Sequence, residues 1–146
     1  MKQEEDIKAR VDPPRNLTGS CLCGGVRYRI DGLARGVVNC FCTQCQKTSG
    51  HHVAATRVNE KDLLIEKDET LTWYVSSPGH ERGFCGRCGG NLFWSRLSDD
   101  QISIMAGMLD KPTGLKTVEN IYLEDASDYF EIPVMPPFNK GGQRGI

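Results

Sequence analysis

No stretch of this 146-residue chain approaches the about 20 consecutive apolar residues of a membrane-spanning helix, so a helical membrane protein is excluded. The first residues, Met1-Lys2-Gln3-Glu4-Glu5-Asp6, are charged and lack an apolar h-region. No secretory signal is therefore expected, and the reducing cytoplasm is the expected compartment. Positive charge is not in excess either: Lys and Arg number 18 against 19 Asp and Glu, a formal net charge of −1. That excludes a sequence-independent phosphate-binding surface and with it a general nucleic-acid partner. Long helical periodicity is nearly absent, and nothing in the chain specifies an oligomer.

What is present is a series of short apolar runs set between turn residues. Gly25-Val26-Arg27-Tyr28-Arg29-Ile30 alternates apolar and polar residues, the period of a half-buried strand. Further strands are expected at 53–56, 63–65, 71–75, 91–94, 102–105 and 120–123. Asn59-Glu60-Lys61-Asp62-Leu63 reads as one helical turn capped by Asn59. At this length one domain is the default, and many short strands predict an all-β sandwich or open barrel. Residues 1–16 are expected to form a leader, 17–132 the domain, and 133–146 a Pro/Gly-rich tail. Trp73, Tyr74, Phe93 and Trp94 sit in strand patterns and are expected in the core, and His80 in an exposed loop.

The seven cysteines carry the chemistry. They fall into three clusters: Cys21 and Cys23; Cys40, Cys42 and Cys45; Cys85 and Cys88. Clustered thiols in a reducing compartment read as metal ligands rather than disulfides. Cys85-Gly86-Arg87-Cys88-Gly89-Gly90 has the form of a zinc knuckle. On a strand, residues two apart share a face, so Cys21/Cys23 and Cys40/Cys42 are each expected to present two sulfurs side by side. Seven divides into four plus three. Cys21, Cys23, Cys85 and Cys88 make a closed structural site. Cys40, Cys42 and Cys45 make a three-ligand site with an open position, the third sulfur coming from a turn. Another partition stays open at this point, with both metals structural and His51, His52 or His80 as an eighth ligand.

Three segments carry a family resemblance: 19–28 around Cys21 and Cys23, 40–50 around Cys40, Cys42 and Cys45, and 84–93 around Cys85 and Cys88. Together they resemble the glutathione-dependent formaldehyde-activating enzyme family, which includes centromere protein V. Ile102-Ser103-Ile104 with Gly107, and 121–132, look like its closing segments. The resemblance implies an all-β, Mss4-like fold, two antiparallel sheets packed as a tent around the metal region. It implies two Zn²⁺ per chain: a structural ion on Cys21, Cys23, Cys85 and Cys88, and a catalytic one on Cys40, Cys42 and Cys45, which three thiolates would leave net negative and open to being labile. It also implies a carbon–sulfur lyase-type reaction with glutathione and an aldehyde as small-molecule partners, forming S-(hydroxymethyl)glutathione from formaldehyde, or a related thiol–aldehyde reaction. The alternative is a non-catalytic zinc module or a glutathione or aldehyde carrier of the same fold. This chain has Phe41, His51-His52 and Asn120 where relatives often carry His, Ser and His. For glutathione contacts the candidates are Lys47, just past the third cysteine, and Gln44 and Ser49, which could orient substrate or simply cap a turn. Arg57 and Arg82 are weaker candidates, expected mainly as solvated charges.

Overall fold

A computed structural model describes residues 16–129 and Glu131. Apart from Asn16, the leader expected over 1–16 and the tail expected over 133–146 lie outside them. The described residues form two sheets, as the strand pattern predicts. The smaller has the order β1-β2-β5, with β1 at Leu17–Ser20, β2 at Val26–Ile30 and β5 at Leu63–Asp68. The larger has the order β10-β3-β4-β9-β8-β7-β6. Its strands are β3 (Val37–Cys40), β4 (Val53–Asn59), β6 (Leu71–Ser77), β7 (His80–Cys85), β8 (Asn91–Arg96), β9 (Gln101–Met105) and β10 (Thr117–Ile121).

Alternation decides what each strand buries. On β2, Val26, Tyr28 and Ile30 point inward while Arg27 and Arg29 are exposed. On the large sheet, Val58, Phe93, Ile102 and Ile104 occupy the facing positions and join the same core. The Tyr28 ring meets Phe93 edge-on, with centroids 5.4 Å apart, a favoured aromatic geometry. Gly19, paired with Tyr28 across β1 and β2, leaves room for that ring: a Cβ there would collide with the Tyr28 hydroxyl.

Several expectations change. The large sheet is not wholly antiparallel, because β10 lies parallel to β3. A long connection after β9 brings the chain back beside β3, and the buried side chains of Asn39 and Asn120 join the pair with a 3.1 Å hydrogen bond. The 3-10 turn Glu60–Asp62 follows Asn59, but Asn59 makes no side-chain capping bond; Gln101 donates to it instead. A seven-residue helix, α1 (Thr43–Ser49), was not expected; two turns are too few for periodicity to show. Tyr74 is not core but 60 % exposed, because β6 is an edge strand, and Trp73 is only partly covered where it stacks on Phe93.

Two substitutions test this packing. Phe93→Ala is expected to cost about 3–5 kcal/mol in urea unfolding, whereas Tyr74→Ala stays within about 0.5 kcal/mol. The Tyr28 hydroxyl is buried without a hydrogen-bond partner. Tyr28→Phe is therefore expected to match or exceed wild-type stability, by up to about 1–3 kcal/mol of relieved desolvation. A clear loss of stability would mean that the hydroxyl has a partner.

Candidate metal centres and active-site cavity

Cys21, Cys23, Cys85 and Cys88 come together with all four sulfurs within 4.8 Å of one another, a group that could hold a metal ion. The route differs from the expected strand geometry. Cys21 and Cys23 lie in the turn between β1 and β2, not on a strand. Gly24, at φ 79°, lets that turn close, and its N–H donates to the Cys21 carbonyl. The sulfurs of Cys21 and Cys23 are 3.7 Å apart, and Cys23 is 3.6 Å from Cys85. Cys85 ends β7, and the knuckle turns its N–H groups onto that sulfur: Cys88 at 3.3 Å and Arg87 at 3.4 Å. Those N–H groups and the Thr70 hydroxyl lower the Cys85 pKa to about 5. A buried sulfur is thus prepared to be a thiolate, the form that binds metal.

Cys40, Cys42 and Cys45 form the second group, their sulfurs also within 4.8 Å of one another. Cys40 ends β3, Cys42 is the residue before α1, and Cys45 lies within α1. The Cys42 sulfur accepts the Cys45 N–H at 3.4 Å, a thiol serving as helix N-cap. A strand end, a cap and a helical turn therefore supply the three sulfurs, rather than a strand pair and a turn. The cluster holds its negative charge unevenly. Contact with Cys40 and Cys42 and the nearby Arg82 guanidinium bring Cys45 down to about 6, against burial. The same contact, with burial, pushes Cys40 up. Among the described residues no His, Asp or Glu completes either group. His51 instead meets the Tyr129 hydroxyl through Nδ1, and His52 packs on Phe41. Burial, with His51 beside it, lowers the His52 pKa.

The three-cysteine group opens into a cavity of about 580 Å³. Its floor is one face of the large sheet. Strand register places Arg82 opposite Trp94, Trp94 opposite Ser103, and Ser103 opposite Arg57, a single row across β7, β8, β9 and β4. Next to that row lie His80 and Arg96, themselves paired. These positions alternate with the core residues Phe93, Val58, Ile102 and Ile104, so one sheet has a core face and a cavity face. Gln44, Cys40, Cys42 and Cys45 face the same space from β3 and α1.

The expected contact residues separate here. Gln44 lines the cavity and accepts a 3.4 Å hydrogen bond from Arg82. Lys47 is exposed and is not among the lining residues. Ser49 also lies outside; its hydroxyl donates to the Cys45 carbonyl at 2.7 Å and accepts the His51 N–H. Arg57 and Arg82 are not solvated surface charges: both line the cavity, and Arg82 is only 5 % exposed. Nor is His80 an exposed loop residue; it opens β7 and stacks on Trp94, centroids 5.5 Å apart. Trp94 itself belongs to the cavity rather than the main core. Sequence reasoning also missed Gln46, whose amide donates to the carbonyls of Phe41 and Asp125, each at 2.7 Å, tying the cysteine loop to the chain after β10. One arginine did leave a signal. Arg57 alternates with Thr56 and Val58 in a strand-like run, whereas Arg82, between Glu81 and Gly83, left none.

Comparisons agree with this architecture. A family model described as "Glutathione-dependent formaldehyde-activating enzyme" matches residues 16–125. A Halomonas elongata protein named "Putative glutathione-dependent formaldehyde-activating enzyme" is 31% identical over 130 residues, covering 80% of each chain. A crystal structure of a Rhodobacter sphaeroides protein superposes with a TM-score of 0.54 at 25% identity, covering 68% of this chain and 97% of that one. The chain belongs to the glutathione-dependent formaldehyde-activating enzyme family.

Proposed function

We propose that this protein joins glutathione to formaldehyde, giving S-(hydroxymethyl)glutathione, with Zn²⁺ on both cysteine groups. The observation that carries the reading is the three-cysteine group, which has no fourth protein ligand among the described residues and opens into a walled cavity. Sulfur donors suit zinc. Tetrahedral Zn–S bonds of about 2.3 Å set sulfurs about 3.8 Å apart, against the 3.6 and 3.7 Å observed in the four-cysteine group. At the three-cysteine group the ion would supply Lewis acidity and favour a thiolate at neutral pH. Three thiolates make that centre net negative, which weakens both effects.

The protein's own residues supply the rest. Arg82, with a guanidinium nitrogen 3.9 Å from the Cys45 sulfur, offsets part of the thiolate charge. Gln44 holds that guanidinium from the side of α1. Val53, Ala55 and Met105 pack with Cys45 and keep the sulfur side of the cavity apolar. In the reaction the thiol sulfur bonds to the aldehyde carbon, the carbonyl π bond opens onto oxygen, and the thiol proton passes to that oxygen. No oxidant is involved. The residues at which this chain departs from its family's pattern, Phe41, His51, His52 and Asn120, are not among those lining the cavity. Phe41 is buried against His52, and Asn120 is bonded to Asn39. These departures therefore leave the glutathione reading intact. The seven free thiols suit a reducing compartment such as the cytoplasm.

NMR exchange spectroscopy on an equilibrium mixture of glutathione, formaldehyde and adduct separates catalysis from the spontaneous reaction. Zinc-loaded protein is expected to speed exchange. Cys42→Ala is expected to abolish that acceleration, keep the melting transition and reduce bound zinc from two ions to one. Unchanged exchange with wild-type protein would leave a carrier or scaffold. Cys85→Ser should behave differently. Structural zinc contributes about 10–16 kcal/mol, as much as a whole domain's net stability, so this variant is expected to lack a cooperative transition. Acid should release the two ions in order. Protons compete for thiolates, and a sulfur with a raised pKa yields at higher pH. Each group mixes a raised thiol with a lowered one, Cys40 with Cys45 and Cys23 with Cys85, so the order is set by ligand number: three thiolates hold an ion less firmly than four. As pH falls, a colorimetric zinc indicator should therefore report release from Cys40, Cys42 and Cys45 first. Cys42→Ala is expected to lose that first step alone.

A further inference from the structure

The cavity floor carries more positive charge than the cysteine chemistry uses. Four arginines line it: Arg35, Arg57, Arg82 and Arg96. Arg35 is spent on structure, donating to the carbonyls of Gly36 and Ala55 at 3.0 Å each. The other three are not. Arg82 is 5 % exposed, and its Nε has no hydrogen-bond partner. Arg57 is largely buried with its Nε likewise unpartnered, and its one ion pair, to Asp99, is long at 3.8 Å. Among the described residues no carboxylate stands within ion-pair distance of Arg82 or Arg96. Arg82 has the Cys45 sulfur 3.9 Å away, Arg57 has only the long pair to Asp99, and Arg96 is exposed, so three guanidiniums turned to one cavity keep donors to spare for an anion from outside.

The geometry says which kind. Arg57 and Arg96 lie over the Trp94 ring, 5.7 and 5.8 Å from its centroid. Cation–π contact holds the guanidiniums in place and leaves N–H donors for a carboxylate, Arg57 sharing one side with Asp99. Arg82 and Arg57 stand three strand spacings apart in the row, about 14 Å between backbones. Long side chains reaching into the cavity shorten that gap toward the roughly 10 Å span of an extended tripeptide. Arg82 is the one beside the cysteines, so a ligand bridging the row lies with one end near the sulfurs.

We propose that Arg57, Arg82 and Arg96, gathered along Trp94, form a seat for a small thiol bearing two carboxylates, and that this seat rather than the cysteines selects the thiol. Only the identification of that thiol with glutathione rests on the function proposed above. A thiol lacking one carboxylate forgoes one of these charge-assisted contacts and binds more weakly.

The probe is S-methylglutathione, which keeps both carboxylates and has no thiol to place on a metal. It should bind the zinc-loaded full chain saturably in a calorimetric titration, more weakly as salt rises. Its diethyl ester should bind at least about tenfold more weakly, a comparison made on the unaltered protein. Arg57→Gln and Arg96→Gln should each weaken binding of the acid by about tenfold while barely changing that of the ester. Equal binding of acid and ester, equal binding by wild type and both variants, or no binding of the acid overturns the proposal. The outcome is separable from that of the reaction. Arginine-dependent binding without accelerated formaldehyde exchange keeps the seat and removes the reaction. Accelerated exchange with no preference for acid over ester keeps the reaction and removes the seat.

Discussion

Four sulfurs from two turns, one in each sheet, meet within 4.8 Å, and the rest of the structure is arranged around that meeting. Cys21 and Cys23 close the β1–β2 connection of the small sheet; Cys85 and Cys88 close the β7–β8 connection of the large one. Cys21 and Cys85 also belong to the main apolar core, beside Val26 and Leu92. The turn N–H groups aimed at Cys85 make thiolate tolerable in that setting. A domain of this size buries limited apolar surface. A clamp between its sheets therefore matters more here than it would in a larger protein.

With the sheets held together on one side, the large sheet has a second side to use. Its strands alternate, so the residues between the core positions necessarily emerge on the far face. There they are Arg57, Trp94, Ser103 and Arg82, which with Gln44 and Cys45 of α1 line one cavity, Arg82 bonding to both of those. The helix is only seven residues long. It is fixed by a thiol cap at Cys42, a left-handed Gly50 at its end, and Gln46 bonded to two loop carbonyls. The same small element therefore sets the spacing of Cys42 and Cys45 and roofs part of the cavity. A core wall and a cavity floor come from one sheet, and that economy explains how so short a chain carries two cysteine groups that could hold metal and a cavity of about 580 Å³.

Much of this was readable from residues. The alternation in 25–30 marks β2, and its inward residues are the ones the core contains. The grouping of seven cysteines into four and three rests on local spacing, and the structure brings together those same two sets. Other features were not readable for identifiable reasons. The backbone at Cys21–Cys23 and at Cys42 is a turn and a helix cap, yet a spacing of two residues looks the same in a strand. The parallel pairing of β10 with β3 depends on a long-range return of the chain. His51 looked well placed as a ligand by distance along the sequence, but its ring meets Tyr129 instead.

The sequence by itself determined the strand-rich class, the family and the two sets of sulfurs, because each is written in local spacing and alternation. Only the tertiary structure decided which charged residues face the cysteines. Lys47 is two residues from Cys45 in the chain and lies outside the cavity, while Arg82 is 37 residues away and its guanidinium reaches the Cys45 sulfur. A helix turns Lys47 away from the side that carries Cys45 within about half a turn. The register of four strands, with hydrogen bonds spanning residues far apart in sequence, carries Arg57 and Arg82 into one row.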